Sequence, residues 1–324
     1  MPYDACLLPM EETVSAPYRK ALIALGEQEE RIIVLGADLA NSTEIDGFRE
    51  RFPRRFFNVG TAEQNMINIA AGLAFEGEIP IVHTFGVFAT RRPYEQICVQ
   101  VAMHRANVKI IGVVPGLTSR LGPTHQAIDD LALMRLLPSL TVIDPADAVE
   151  MEQALFAAAA HQGPVYMRAL RREVPVLFDA SRYRFRIGSA VLLKEGEDVA
   201  LLSCGLMLRE ALSAHALLEK SGISASVLHV PTVKPLDSDA VLSCARTAKA
   251  VVTVENHLTT GGLGSAVAEI LGSRFPVPLV RVGVPDMFAE PGSPDYLFQK
   301  YGLTAPHIEK AALNAIRMKE SHGL

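Results

Sequence analysis

Short apolar runs alternate with longer helical patterns along almost the whole chain. Each run is too brief for a helix and is bounded by Gly, Pro, Asn or Asp, so the repeating unit is a strand followed by a helix. Such units build mainly parallel sheets with helices on their faces, and the expected class is α/β. In the first half the candidate strands are 31–35, 79–83, 108–113, 140–143 and 165–168. Helical patterns occupy 62–75, 94–105 and 147–160, the last opened by Asp147 as N-cap after the Asp144-Pro145 turn. From 171 to 188 the period is lost, and RREVPVLFDASRYRFRIG reads as an extended connection. A second alternation follows, with strands at 199–203, 226–230, 250–255 and 278–282 and helices at 208–220, 237–245 and 263–271. The 324 residues suit two domains, expected at 1–185 and 186–324, with the boundary placed to within about ten residues either way.

Composition narrows the function. The net charge of −5 gives nucleic-acid binding little electrostatic basis. Cys6, Cys98, Cys204 and Cys244 are far apart and form no CxxC pattern, so reduced thiols in the cytoplasm are expected. The N-terminal sequence has no basic stretch followed by an apolar core, and no run of about 18 apolar residues exists, so neither a secretory signal nor a membrane span is expected.

Three segments carry candidate chemistry. In FFNVGTAEQNMINIAAGLA (56–74) a Gly turn leads into a helix whose first turn bears Glu63. The helix dipole favours a carboxylate there, so helix-start stabilisation is the plainer reading. In TFGVFATRRPYEQ (84–96), Phe85 and Phe88 follow a buried strand; they suit either the core or a flat heterocycle. Arg91 and Arg92, taken alone, read as a solvated basic patch. In GPTHQ (122–126) the Gly-Pro turn sets His125 and Gln126 just before an expected helix at 127–137. A histidine on such a loop suits polar catalysis at the carboxyl edge of a sheet, or an ordinary structural role.

In this order and spacing, the three segments resemble the pyrimidine-binding domain of transketolases and 1-deoxyxylulose-5-phosphate synthases. The likeness is closest to the C-terminal section of split transketolases, their short second polypeptide. It extends through Gly36-Ala37-Asp38-Leu39, and VTVENHLTTGGLGSAVAEIL (252–271) and GSPDYLFQKYGLTAPHI (292–308) are similar to the family's C-terminal domain. It runs from about residue 14 to about residue 313. The resemblance implies thiamine diphosphate as cofactor. Glu63 would hydrogen-bond the edge nitrogen of its aminopyrimidine, where sharing a proton activates the cofactor. Phe85 and Phe88 would pack on that ring, with Asp38 and Arg92 also at the cofactor. His125 would hydrogen-bond the donor substrate at the reaction centre. Ser42, Arg171, Arg168 and Arg120 would serve the substrate, the arginines because a planar guanidinium can hold a phosphate by two bonds. The activity implied is transfer of a two-carbon ketol unit between sugar phosphates, with Glu63 and His125 as the catalytic pair.

The resemblance also shows what this sequence lacks. The family binds the cofactor's diphosphate and its Mg2+ (or a similar divalent cation) through a GDG motif and a later asparagine pair, neither present here. That implies a partner, the other transketolase polypeptide with the diphosphate-binding domain. Two copies of each chain would form an A2B2 heterotetramer, and no metal ligand is expected in this chain. Where transketolases carry an acidic Gly-Glu-Asp before Gly-x-Thr-His-Gln, this chain has Ser119-Arg120-Leu121. Val114 replaces a histidine, and Ser15 stands where an arginine is usual, with Arg19 nearby. These changes leave open a non-standard, branched ketose phosphate such as apulose 4-phosphate, then a sugar with another anionic group near Arg120, against the ordinary xylulose 5-phosphate and ribose 5-phosphate. Alternatives are a 1-deoxyxylulose-5-phosphate synthase-like enzyme, the β subunit of a 2-oxo-acid dehydrogenase, or a non-catalytic subunit. Gly261-Gly262-Leu263-Gly264 follows a strand and opens a helix, but lacks dinucleotide-fingerprint spacing.

Overall fold

The computed structural model describes residues 6–10, 12–321 and 323. The outermost residues of the two expected domains, 1–5, 322 and 324, lie outside them. The first half runs β1 (Thr13–Ser15), α1 (Pro17–Gln28), β2 (Ile32–Gly36), α2 (Asp46–Arg51), β3 (Phe56–Asn58), α3 (Glu63–Phe75), β4 (Ile79–Phe85), α4 (Gly86–Thr90), α5 (Tyr94–Gln96), β5 (Lys109–Val113), α6 (Asp130–Leu136), β6 (Thr141–Ile143), α7 (Ala148–Ala160), β7 (Val165–Ala169) and β8 (Glu173–Pro175). The second half runs β9 (Val191–Lys194), β10 (Val199–Ser203), α8 (Met207–Lys220), β11 (Ala225–His229), β12 (Thr232–Lys234), α9 (Ser238–Ala248), β13 (Val251–Leu258), α10 (Leu263–Arg274), β14 (Leu279–Val284), α11 (Pro294–Lys300) and α12 (Ala305–Ser321).

The expected α/β class is observed. A seven-stranded sheet has the order β12-β6-β7-β5-β4-β2-β3, and a five-stranded one β14-β13-β10-β11-β9. All neighbours are parallel except β12 with β6 and β9 with β11. Every residue of β4, β5 and β7 is buried, which is why these strands read as largely apolar runs rather than alternating ones. Asp147 caps α7 by accepting the Glu150 amide at 2.7 Å. Its other oxygen accepts the amides of Leu177 and Phe178 at 2.7 and 2.9 Å, so one carboxylate both starts a helix and pins the connecting segment. Burial, with Glu150 beside it, raises its pKa to about 6.

Several details depart from expectation. β12 belongs by sequence to the second half yet completes the edge of the first sheet, so the sheets do not divide cleanly at residue 185. The helix expected at 94–105 is α5 continued by a π-helical stretch, Ile97–Ala102. That expected at 127–137 starts only at Asp130, because Ala127 accepts the Gly116 amide at 2.9 Å and stays extended. α12, 17 residues long, was not expected; its buried face is mostly alanine. No helix among the described residues is long and apolar enough to cross a membrane.

Candidate active site

The carboxyl ends of β2, β3, β4, β5 and β7 share one edge of the seven-stranded sheet, where open α/β sheets bind ligands. Past β3, Gly60 takes a positive φ of 75°, which a side chain would resist, and the turn delivers Glu63 as the first residue of α3. Glu63 is only 3% exposed. Arg92 Nη1 donates to its Oε1 at 2.7 Å, and Oε2 has no hydrogen-bond partner among the described residues. The same guanidinium lies 4.0 Å from the Phe88 ring centre. Asp38, at φ 59°, receives a bond from Asn58 Nδ2 at 3.2 Å and returns one from its amide to Asn58 Oδ1 at 3.0 Å. It thus braces the turn that carries Glu63.

Phe85 ends β4, and Phe88 lies one turn on in α4. Their rings are stacked at 6.1 Å and 25°. His125 meets both edge-on, at 6.3 Å from Phe85 and 5.2 Å from Phe88. Its Nδ1 is 2.9 Å from Thr124 Oγ1, and Nε2 has no partner among the described residues. Arg171, past β7, holds its guanidinium 5.2 Å from the Phe85 ring centre and donates to the Ser42 carbonyl at 2.8 Å. Ser42 therefore meets Arg171 through its backbone, leaving the hydroxyl uncommitted. Glu63, Arg92, Phe85, Phe88, His125, Arg171 and Ser42 are thus linked through direct contacts, although up to 129 positions separate contacting partners.

Arg168 requires a correction. It was expected at the substrate, but it is 1% exposed and every guanidinium nitrogen is engaged inside the protein. Nη2 and Nε donate to Asp130 at 2.5 and 2.9 Å, and Nη1 donates to Asp144 at 3.1 Å. Tyr166 also donates to Asp130, at 2.5 Å. No donor remains for a substrate phosphate. Arg168 is the positive centre of a buried network beneath the site.

Sequence reasoning missed the residues that hold the His125 loop. Arg91 is no solvated patch: it pairs with Asp129 at 2.9 Å and reaches the carbonyls of Pro123 and Gln126. Gln126 is fully buried, and its amide donates to Ser119 and Glu290 carbonyls at 3.3 and 3.1 Å. From the second half, Asn256 accepts the Leu117 amide at 2.9 Å and donates to Pro115. Gly116 must be glycine here, since a Cβ would stand 2.2 Å from the Asn256 side chain. These partners lie far apart in sequence, and no local pattern announces them. Arg120 is exposed without an ion-pair partner among the described residues, and Leu121 beside it is 62% exposed. At the Gly-rich turn, buried Glu255 already accepts the amides of Leu263 and Gly264, at 2.7 and 2.8 Å.

With that geometry in view, comparison with known proteins is direct. The transketolase pyrimidine-binding domain model matches residues 12–176, and the transketolase C-terminal domain model matches 188–308. A transketolase family protein of Sinorhizobium fredii is 47% identical over 301 residues, covering 92% of this chain and 87% of the relative. A 6-deoxy-6-sulfo-D-fructose transketolase subunit of Clostridium sp. is 47% identical over 296 residues, covering 91% and 92%. A solved split-gene transketolase, described as an inactive β4 tetramer, superposes with a TM-score of 0.87 at 45% identity, covering 94% of this chain and 98% of that one. A 1-deoxy-D-xylulose-5-phosphate synthase of Desulforudis audaxviator is more distant, at 35% identity, and the chain spans only 47% of its length.

The chain belongs to the transketolase family and carries its pyrimidine-binding and C-terminal domains. Proteins of this family use thiamine diphosphate. The residues present fit the pyrimidine end of that cofactor: a buried carboxylate with one oxygen unpartnered stands beside two stacked aromatic rings.

Proposed function

We propose that this chain is the C-terminal-section polypeptide of a split, thiamine-diphosphate-dependent transketolase. It would act in the cytoplasm with a separate partner polypeptide that binds the diphosphate and Mg2+, as an A2B2 heterotetramer, and move a two-carbon ketol unit between sugar phosphates. The observation carrying this reading is the half-satisfied Glu63 carboxylate beside the Phe85–Phe88–His125 cluster, in a sequence without a GDG motif. The split-gene relative supports the division of labour.

Bound here, the cofactor would supply the carbon nucleophile that accepts the ketol unit. Glu63 Oε2 would share a proton with the ring-edge nitrogen while Arg92 holds Oε1. Phe85 and Phe88 would pack against the ring and exclude water. His125 Nε2 would exchange a hydrogen bond with the donor's hydroxyl at the reacting carbon. Ser42 and Arg171 would hold the substrate's phosphate. Asp38 would keep the Glu63 turn in register.

Leu121 cannot accept a hydrogen bond where the family has an acid, so selectivity at the neighbouring sugar carbon should be relaxed. A branched ketose phosphate such as apulose 4-phosphate fits that relaxation. A linear ketose with a further anionic group is favoured by a second observation, unpaired Arg120 beside Leu121, and by the sulfosugar relative.

The test is reconstitution. Alone, the chain should bind thiamine diphosphate weakly and be inert. With the diphosphate-binding partner it should bind the cofactor in a Mg-dependent way and transfer ketol units, and kcat/KM across linear, branched and sulfonated ketoses would identify the donor. Tight Mg-dependent cofactor binding by this chain alone would defeat the split assignment.

A further inference from the structure

Between β5 and α6 the chain runs from 114 to 129 without a helix or a strand, and His125 stands near the end of that run. The bonds the segment makes within itself are mostly local. The Thr118 amide and hydroxyl donate to the Pro115 carbonyl at 3.2 and 2.7 Å, and the His125 amide donates to the Gly122 carbonyl at 2.9 Å. One longer bond, from the Gly116 amide to the Ala127 carbonyl at 2.9 Å, brings its two stems together. The entry is strained. Val114, a β-branched residue, has a φ of 63°, and Gly116 follows at 55°. Such a conformation persists only where the surroundings fix it.

The second half of the chain supplies that fixing. Three consecutive residues at the end of β13 bind the segment and the start of α6, on both sides of His125. Asn256 is 1% exposed; its Oδ1 accepts the Leu117 amide at 2.9 Å and its Nδ2 donates to the Pro115 carbonyl at 3.3 Å. These two groups flank Gly116, so the side-chain amide takes the place of a neighbouring strand at the strained turn. His257 donates from Nδ1 to the Leu258 carbonyl at 2.8 Å, which leaves Nε2 to accept the Ala132 amide at 3.3 Å. The Leu258 amide donates to the Ile128 carbonyl at 2.8 Å. Near the tip of the loop, a Cβ on Gly122 would stand 2.9 Å from the Pro291 ring, and Gln126 donates to the Glu290 carbonyl at 3.1 Å.

We propose that Asn256 is a positioning residue of the second domain: by bonding Pro115 and Leu117 it holds the 114–129 segment in the form that sets His125 edge-on to Phe85 and Phe88. His257 and Leu258 fix the far stem independently, so loss of Asn256 should reach His125 while leaving α6 in place. The consequence for rate rests on the function proposed above; the consequence for the placement of His125 does not.

The first arm of the test is NMR of the histidine ring protons in the full chain alone. The His125 resonance, identified by its loss in His125→Gln, should be displaced by the ring currents of Phe85 and Phe88. In Asn256→Leu most of that displacement should vanish. The resonances of His104, beside Phe75, and of His215, bonded to the Ala225 carbonyl, should stay put. Asn256→Asp keeps the acceptor for the Leu117 amide and loses the donation to Pro115. It should show a smaller part of the same change, and it carries the test if the leucine variant does not fold. An unmoved His125 resonance in a folded Asn256→Leu, or in Asn256→Asp where the leucine variant does not fold, would overturn the clamp. The second arm uses the enzyme reconstituted with its diphosphate-binding partner. Asn256→Leu should lower kcat roughly 10- to 100-fold with either fructose 6-phosphate or hydroxypyruvate as donor, the scale of a small misplacement at the reacting centre. KM for both donors and the Kd for thiamine diphosphate should stay within about twofold, because the lost interaction acts in the transition state. Parallel losses in kcat, KM and cofactor affinity would mean general loosening and overturn the positioning role, as would an unchanged kcat. If the wild-type pair transferred no ketol unit while the His125 resonance still depended on Asn256, the transketolase reading would fall and the clamp would stand.

Discussion

Arg92 with Glu63 and Arg168 with Asp130 are both short charge-assisted pairs, at 2.7 and 2.5 Å. Around Arg168 the network closes on itself: Asp130, Asp144 and two backbone carbonyls use the whole guanidinium, Tyr166 donates to Asp130 in turn, and both partners of the main pair are buried. Around Glu63 it stays open. The Arg92 side chain is 45% exposed, and one carboxylate oxygen has no partner among the described residues. A closed network can only specify structure, because nothing remains to bind. An open one leaves the protein a buried acceptor to complete with a ligand.

The largest effect expected from breaking this contrast is on stability. Arg168→Met leaves Asp130 and Asp144 buried without their counter-charge, and should cost about 3–5 kcal/mol in denaturant unfolding. Arg168→Lys should not restore it, since an ammonium cannot reproduce the planar fork. A variant of near wild-type stability with a raised KM for phosphorylated substrates would return Arg168 to the substrate and erase the distinction.

On the open side the effect should fall on rate. Glu63→Gln keeps size and the bond from Arg92 but cannot share an acidic proton. The reconstituted enzyme should lose roughly 10²-fold in kcat, while stability should change by less than about 1 kcal/mol because the ion pair reaches solvent. Near wild-type turnover would remove Glu63 from the chemistry.

A smaller effect comes from His83, on β4 two residues before Phe85. Burial lowers its pKa from 6.5 to about 3. Its Nε2 is 2.5 Å from the Tyr18 hydroxyl, and Nδ1 has no partner among the described residues. The unfolded chain therefore takes up a proton below pH 6.5 that the folded chain refuses until about pH 3, so stability falls with pH across that window. Between pH 7.5 and 5, wild type should lose about 2 kcal/mol more than His83→Gln. Equal losses would show that His83 is not held neutral, and that β4 is less closed than the Arg168 region below it.

Much of the fold and part of the site were legible in the sequence. β4, β5 and β7 read as strands because burial on both faces favours largely apolar runs. α7 announced its start through Asp147, since an N-cap works within three residues. Local turns and spacing singled out Phe85, Phe88, Glu63 and His125, but left each open to a structural reading; only the family resemblance gave them a role. The three-residue β12 did not, because its pairing with β6 is decided by a strand 89 positions away in sequence. Arg91 was read as solvated for the same reason: its carboxylate partner, Asp129, is 38 residues distant.

The clearest division is between Arg168 and Arg171. The sequence by itself determined that a strand ends here and that arginines cluster at its carboxyl edge, because hydrophobic period and turn chemistry act over a few residues. It could not determine which arginine is free. Arg168 lies within β7, where both faces are covered and carboxylates from Asp130 and Asp144 converge on it. Arg171 lies beyond the strand's last residue, over Phe85. Three positions separate two identical side chains, and only the tertiary packing, through burial and long-range charge, makes one the centre of a closed network and leaves the other half-buried beside Phe85.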